Sequence, residues 1–235
     1  MNDKLLDRGI SRRHLLLGLG LGATALAAGC TTGPRARILG SYDGAVQPEY
    51  GGSLSMYGPI EDGGYLIPGI NPKRVDPRFF RQEVADPTGE APGTVVIDTN
   101  NFYAYFTEPG GRAMRYGIGV GRDGFSWSGR AVMQWKRKWP RWTPPNEMID
   151  RQPELEPYRN VGMDPGLMNP LGARALYLFQ NGKDTLYRLH GTPQYWTIGT
   201  AVSSGCVRFM NHDIIDLYER VPNGAPVVVI QNGMV

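Results

Sequence analysis

The stretch His190–Asn211, HGTPQYWTIGTAVSSGCVRFMN, holds one of the three histidines and one of the two cysteines in this 235-residue chain. The other three have other duties. His14 lies in an N-terminal export-like segment, His212 opens an expected surface helix, and Cys30 closes the N-terminal segment. His190 and Cys206 remain, with fifteen residues rich in Gly, Ser and Thr between them. A thiol is only a few per cent ionised at neutral pH, and a neighbouring imidazole can take its proton and create a strong nucleophile. Ser203-Ser204-Gly205-Cys206 is small and flexible, so a carbonyl can approach the backbone closely there. Backbone N–H groups at Gly205 and Cys206, with Ser204 beside them, can face a developing oxyanion. The plainer alternative is that a lone cysteine is a small buried hydrophobe and a lone histidine a structural residue.

The run Ser203–Asn211, SSGCVRFMN, with a histidine upstream, resembles the L,D-transpeptidase family, the YkuD-type catalytic domain. The family motif is S-[HS]-G-C-[VI]-R-[LMF]-x-N. Many members have a second histidine directly before the Gly-Cys; this chain has Ser204 there. Trp139–Pro145 (WPRWTPP) and Asn169–Arg174 (NPLGAR) resemble segments of the family's larger Gram-negative branch. The resemblance is clearest over Thr94–Ile230, with a weaker lead-in from Ile67. It implies a mainly-β fold, a mixed β-sandwich with short helices.

In function the resemblance implies a peptidoglycan L,D-transpeptidase of cell wall biogenesis that needs no cofactor or metal. Cys206 attacks the third-residue carbonyl of a tetrapeptide stem and D-alanine leaves. An amine then resolves the thioester, giving a 3-3 crosslink or a protein–peptidoglycan link. His190 is the implied general base and then acid, oriented by the backbone carbonyl of Gly191. Ser204, Gly205 and Cys206 line the implied oxyanion region. Arg208 is read as a carboxylate clamp, because its planar fork pairs with a carboxylate bidentately; the alternative is a structural salt bridge. Trp196 and Ser203 complete the expected substrate-binding set. The expected partners are stem peptides and, as acyl acceptor, an outer-membrane protein. Two other readings stay open: an L,D-carboxypeptidase or crosslink hydrolase using the same thiol, and a noncatalytic wall-binding lipoprotein. A zinc site would need more ligands than one cysteine and one histidine supply.

The N-terminus, MNDKLLDRGISRRHLLLGLGLGATALAAGC, sets the expected compartment. Ser11-Arg12-Arg13-His14-Leu15-Leu16 reads as a twin-arginine export signal. The apolar run Leu15–Ala28 is short and Gly/Ala-rich, as in a cleaved signal segment; a permanent anchor helix is the alternative. Ala25-Leu26-Ala27 fits ordinary signal peptidase, whereas Ala27-Ala28-Gly29-Cys30 resembles a lipobox whose Cys30 would be lipidated and tether the protein to a membrane. Of the two, lipidation is the preferred reading. The expected location is the periplasm or cell envelope.

The formal net charge is +3. Lys4, Arg8, Arg12 and Arg13 against Asp3 and Asp7 put +2 of that in the N-terminal segment, leaving +1 on the rest. That balance argues against a nucleic-acid binder driven by charge. The 32 glycines and 19 prolines, with many aromatic and β-branched runs, favour a β-rich fold with many turns. The expected layout is an export segment at 1–30, a tether at 31–66, a lead-in at 67–93 that packs onto the domain, and a catalytic domain at 94–235.

Strands are expected at Thr94–Asp98, Phe102–Phe106, Met114–Val120, Phe125–Gly129, Ala131–Trp135, Ala175–Phe179, Thr185–Leu189, Val207–Met210 and Pro226–Ile230. Asn181-Gly182 marks a hairpin whose second strand delivers His190. Thr143 is an expected N-cap for a short helix, and Asn211 for a longer one with Ile214, Ile215, Leu217, Tyr218 and Val221 on its buried stripe. Trp135, Trp139 and Trp142 read either as core residues or as an aromatic wall beside the site.

Overall fold

The structure is a computed structural model and describes residues 54–121, 128–203 and 206–231. The expected export signal, Cys30, and the pair Ser204-Gly205 lie outside the described residues. A short hairpin comes first, β1 (Ile60–Asp62) and β2 (Tyr65–Ile67). Then follow β3 (Gln82–Ala85), β4 (Val95–Asp98), β5 (Tyr103–Glu108), β6 (Arg112–Gly121) and β7 (Gly129–Lys138). A short helix α1 (Asn146–Arg151) precedes β8 (Arg174–Gln180) and β9 (Lys183–Thr192). Last among the described residues come β10 (Ala201–Ser203), β11 (Val207–Met210), helix α2 (Asn211–Arg220) and β12 (Ala225–Ile230).

The protein is mainly β, a mixed β-sandwich with short helices. Its long strand β6 makes this possible. The first half of β6 pairs with β3 and β5, and the second half with β11 and β10. The pairings β6-β11-β9-β8-β7-β12-β4-β5 therefore return to β6 and close into a ring. Period-2 alternation sends one face of each strand inward. Ile97, Tyr116, Met133, Leu178 and Phe209 are fully buried members of one core. Ile214, Leu217 and Val221, at helical spacing on and just after α2, join the same core.

Several expectations change. Phe125 lies outside the described residues, and Ala131–Trp135 is part of one ten-residue strand, β7. Its polar C-terminal half meets the end of helix α2: Lys136 Nζ donates to the carbonyls of Tyr218 (2.5 Å) and of Val221 just past the helix (2.7 Å), and Lys138 pairs with Glu219 (3.3 Å). Thr143 does not cap α1; Pro145 occupies that position and offers no side-chain hydrogen bond. Asn211 does not cap α2 either. It is the first helical residue, and its Oδ1 accepts the Ala173 N–H (3.0 Å) instead.

The packed body also begins before the expected tether ends. Tyr57 is buried at 2% exposure, and its hydroxyl donates to Asp213 (2.8 Å) on α2. Tyr57, Phe79 and Phe80 form a second cluster with Ile198 and Met210. Each such buried ring contributes roughly 2–3 kcal/mol. The lead-in thus braces the loop before Cys206 and the junction after it. Asp62 of β1 accepts both guanidinium nitrogens of the buried Arg174 (2.6 and 2.7 Å) and the Trp139 indole N–H (2.7 Å). That cluster ties the first hairpin to β8 and explains Trp139 and Arg174 as structural residues.

Candidate active site

His190 lies near the end of β9, between two strands. Its neighbours across the pairing are Ala175 on β8 and Arg208 on β11. Leu189 and Val207 are paired and fully buried in the core. By alternation, Arg188 and His190 on β9 and Arg208 on β11 take the opposite face. Cys206 precedes β11 by one residue, so the same register puts it beside Arg188.

The His190 ring is 5% exposed, and its Nδ1 is 2.7 Å from the Gly191 carbonyl oxygen. A carbonyl can only accept, so in the neutral ring Nδ1 carries the proton and Nε2 keeps its lone pair. Burial drives the imidazole pKa down to about 4; the backbone carbonyls of Gly191 and, less, Pro170 pull it upward, and the cationic Arg208 and Arg188 push it lower. At neutral pH the ring is an uncharged base.

Gly191 is tightly enclosed. A Cβ there would collide with Asn211 Oδ1, and so would one on Gly172, whose φ is +60°. Asn211 therefore packs between the turn after His190 and the NPLGAR loop, which it also holds through the Ala173 N–H. Asn169 anchors the other end of that loop with its amide on the carbonyls of Pro140 (3.1 Å) and Asp164 (3.0 Å). The two family-like segments are the supports of the histidine turn.

Cys206 is partly exposed. Burial of the thiol raises its pKa, while the Arg188 backbone N–H and the charges of Arg188 and Arg208 oppose that rise. The resting site is accordingly a neutral thiol near a neutral imidazole. Arg208 is half-buried, and burial lowers its pKa. No ion pair joins it to a carboxylate among the described residues.

The structure brings His190, Gly191, Arg208 and Cys206 to one place. Ser203 ends β10, paired with Gly121 on β6. Trp196 stands apart from these strands, on a short turn at Tyr195–Thr197. It is 42% exposed, with the Arg74 guanidinium 4.2 Å over its ring. The three tryptophans do not form one wall: Trp139 is buried on Asp62, Trp142 bridges to Met163, and Trp135 stacks on Tyr177 at 3.5 Å. Sequence reading overlooked Arg188. The alternation in Thr185–His190, TLYRLH, puts it on the same strand face as His190 and was the available signal. Beyond His190, a cavity of about 210 Å³ opens, lined among others by Ile70, Leu167, Thr192, Pro193, Asn211 and His212. Among the described residues no three His, Cys, Asp or Glu side chains gather as a metal site would require.

A ring-closed β-sandwich that carries an oriented histidine on one strand and a cysteine just before the next is the arrangement of a thiol acyl-transfer site. The YkuD family profile, described as the L,D-transpeptidase catalytic domain, matches residues 92–229, and the chain belongs to that family. The Escherichia coli K12 protein named probable L,D-transpeptidase ErfK/SrfK is 33% identical over 58% of this chain and 43% of its own length. Another from the same strain, probable L,D-transpeptidase YcfS, is 29% identical over 88% of this chain and 69% of its own. A solved chain from Brucella melitensis, titled a probable carnitine operon oxidoreductase, is 49% identical over 68% of this chain and 99% of that one, with a TM-score of 0.47. The chain spans less than half the length of ErfK/SrfK.

Proposed function

We propose that the protein is a peptidoglycan L,D-transpeptidase of the cell envelope that works through Cys206. The observation that carries this reading is the 2.7 Å contact from His190 Nδ1 to the Gly191 carbonyl, which leaves Nε2 as the basic nitrogen on the strand next to the cysteine. In the first half-reaction Nε2 takes the thiol proton and the sulfur attacks the third-residue carbonyl carbon of a tetrapeptide stem. The carbon–nitrogen bond to D-alanine then breaks. The imidazolium returns its proton to the leaving amine, and a thioester remains. In the second half, an acceptor amine attacks the thioester, gives its proton to Nε2, and the sulfur leaves to recover the thiol.

Arg208 is proposed as the clamp for a stem carboxylate. A half-buried guanidinium with no protein counter-ion among the described residues suits a ligand anion better than a structural bridge. Gly205 and Cys206 are proposed to donate N–H groups to the oxyanion, with Ser204 beside them, and Ser203 and Trp196 to flank the stem. Export by the twin-arginine route, lipidation at Cys30 and an outer-membrane protein as acceptor belong to the same proposal, on the strength of the N-terminal sequence and family membership.

The test is incubation of tetrapeptide-rich muropeptides with wild type and Cys206→Ala, read by mass spectrometry. The reading predicts a crosslinked dimer lacking one D-alanine with wild type alone. Tripeptide without dimer would mean that water resolves the thioester and the enzyme is a hydrolase. Equal products from Cys206→Ala would overturn the thiol mechanism.

A further inference from the structure

A row of side chains crosses three neighbouring strands at the level of Cys206. Arg188 on β9 is opposite Tyr177 on β8, and Tyr177 is opposite Trp135 on β7. The Trp135 and Tyr177 rings are stacked, 3.5 Å apart and 14° from parallel. The Arg188 guanidinium caps this stack 4.4 Å from the Tyr177 centroid, and Arg137 closes its other end at 5.2 Å over Trp135. Such stacking fixes a guanidinium in one plane.

Asp184 holds the same guanidinium from below, with both oxygens paired at 2.7 Å. On a regular strand, residues four apart are about 13 Å from each other, too far for that contact. A bulge brings them together. Between Tyr177 and Phe179, β8 advances two residues while β9 runs four, from Arg188 to Asp184. Leu186 absorbs the excess in the left-handed region, φ +63°, a costly conformation for a branched side chain. Leu186 itself is 76% exposed, so core packing does not demand the bulge. The Asp184 carboxylate fastens the bulge by accepting the Leu186 N–H at 2.8 Å.

We propose that Arg188 is the cation that stabilises the Cys206 thiolate, and that the Asp184 bulge and the Tyr177–Trp135 stack fix its guanidinium and set how much of its charge the sulfur feels. This rests on Cys206 being the nucleophile. The charged and titratable groups around the thiol are Arg188 and His190 on β9 and Arg208 on β11, with Tyr177 and Asp184 on the far side of the Arg188 guanidinium. The adjoining β6 residues, Gly119 to Gly121, carry none. Arg188 is thus a positioning and charge-supplying residue, distinct from His190, which moves the proton.

The experiment measures the rate at which iodoacetamide alkylates Cys206 between pH 6 and 11.5, by peptide mapping of the full-length protein so that Cys30 is read separately. Wild type, Arg188→Gln, Arg188→Lys and Asp184→Asn are compared, with thermal melting as a check on folding. Arg188→Gln should move the alkylation midpoint up by about one pH unit or more, the usual effect of removing a neighbouring cation. Arg188→Lys should recover most of that shift. Asp184→Asn should move the midpoint down, because the guanidinium no longer shares its charge with a carboxylate. A superimposable profile for folded Arg188→Gln, or an unchanged or upward midpoint for Asp184→Asn, would overturn the proposal. The second criterion decides the matter if Arg188→Gln does not fold. Alkylation needs no stem peptide, so a failure of transpeptidation leaves this result standing, and the reverse also holds.

Discussion

His190 holds its proton on the nitrogen that faces a carbonyl, and burial keeps a second proton off the ring until the pH is near 4. Thiol-dependent turnover should therefore persist from pH 7 to about 5, with an acid limb near 4; a limb near the ordinary value of 6.5 would contradict the burial argument. The same shift is a statement about stability. The unfolded ring binds a proton below 6.5 while the folded one refuses it down to about 4, so the folded state gains above 6.5 and loses as the pH falls toward 4. Between pH 7 and 4.5 that loss amounts to about 2–3 kcal/mol. Urea unfolding of His190→Gln should show a smaller fall than wild type over that range. Arg208 makes a different prediction. As the proposed clamp for a stem carboxylate, it predicts that Arg208→Gln raises KM for a stem with a free carboxylate by about tenfold or more and leaves an amidated stem little changed. Equal effects on both stems would assign Arg208 to the scaffold.

At the scale of elements, the site depends on how β9 ends and α2 begins. Gly191 sits so close to Asn211 Oδ1 that no Cβ fits, and Ile214 crowds the same position. Gly191→Ala must displace either the carbonyl that orients His190 or the first turn of α2. Overpacking of this kind costs about 1–3 kcal/mol. Melting should drop accordingly, and turnover should fall further than Asn211→Ala makes it fall, since only the glycine variant moves the carbonyl directly. The hairpin β8–β9 and the buried stripe of α2 were legible in the sequence, because Asn-Gly turns and period-2 or period-3.6 spacing are local signals. The Asn211 cap was misread for an equally physical reason. An asparagine at a strand–helix junction has the cap signature, but its Oδ1 was claimed by Ala173, a donor 38 positions away. Likewise, β7 continues through Lys136 and Lys138 by pairing with Leu176 and Arg174 on β8, a non-local ladder that local spacing does not display.

For the whole molecule, the ring of strands supplies a rigid frame, and the segment before β4 braces it. The Asp62–Arg174 pair joins positions 112 residues apart, a relation that single-sequence reading does not reveal. Because Arg174 is 1% exposed, Asp62→Ala leaves a buried cation without its anion. Losing one partner of such a pair costs about 3–5 kcal/mol, and Asp62→Ala should show a loss of that size in chemical denaturation. A loss under 1 kcal/mol would mean that the hairpin β1–β2 is not integral to the domain. The Cys206 and His190 pairing, by contrast, was visible because motif and chemistry coincide within one stretch. Arg188 was passed over because a strand arginine two before the histidine looks like ordinary surface until the bulge, the ring stack and Asp184 are seen together. The account turns on a covalent bond between a stem peptide and Cys206. Intact-mass measurement after mixing the protein with a tetrapeptide stem tests it most directly. Wild type should gain the mass of the stem less D-alanine, mapped to Cys206, with no adduct on Cys206→Ala and a much slower one on His190→Gln. D-alanine release that continues unchanged in Cys206→Ala would contradict it.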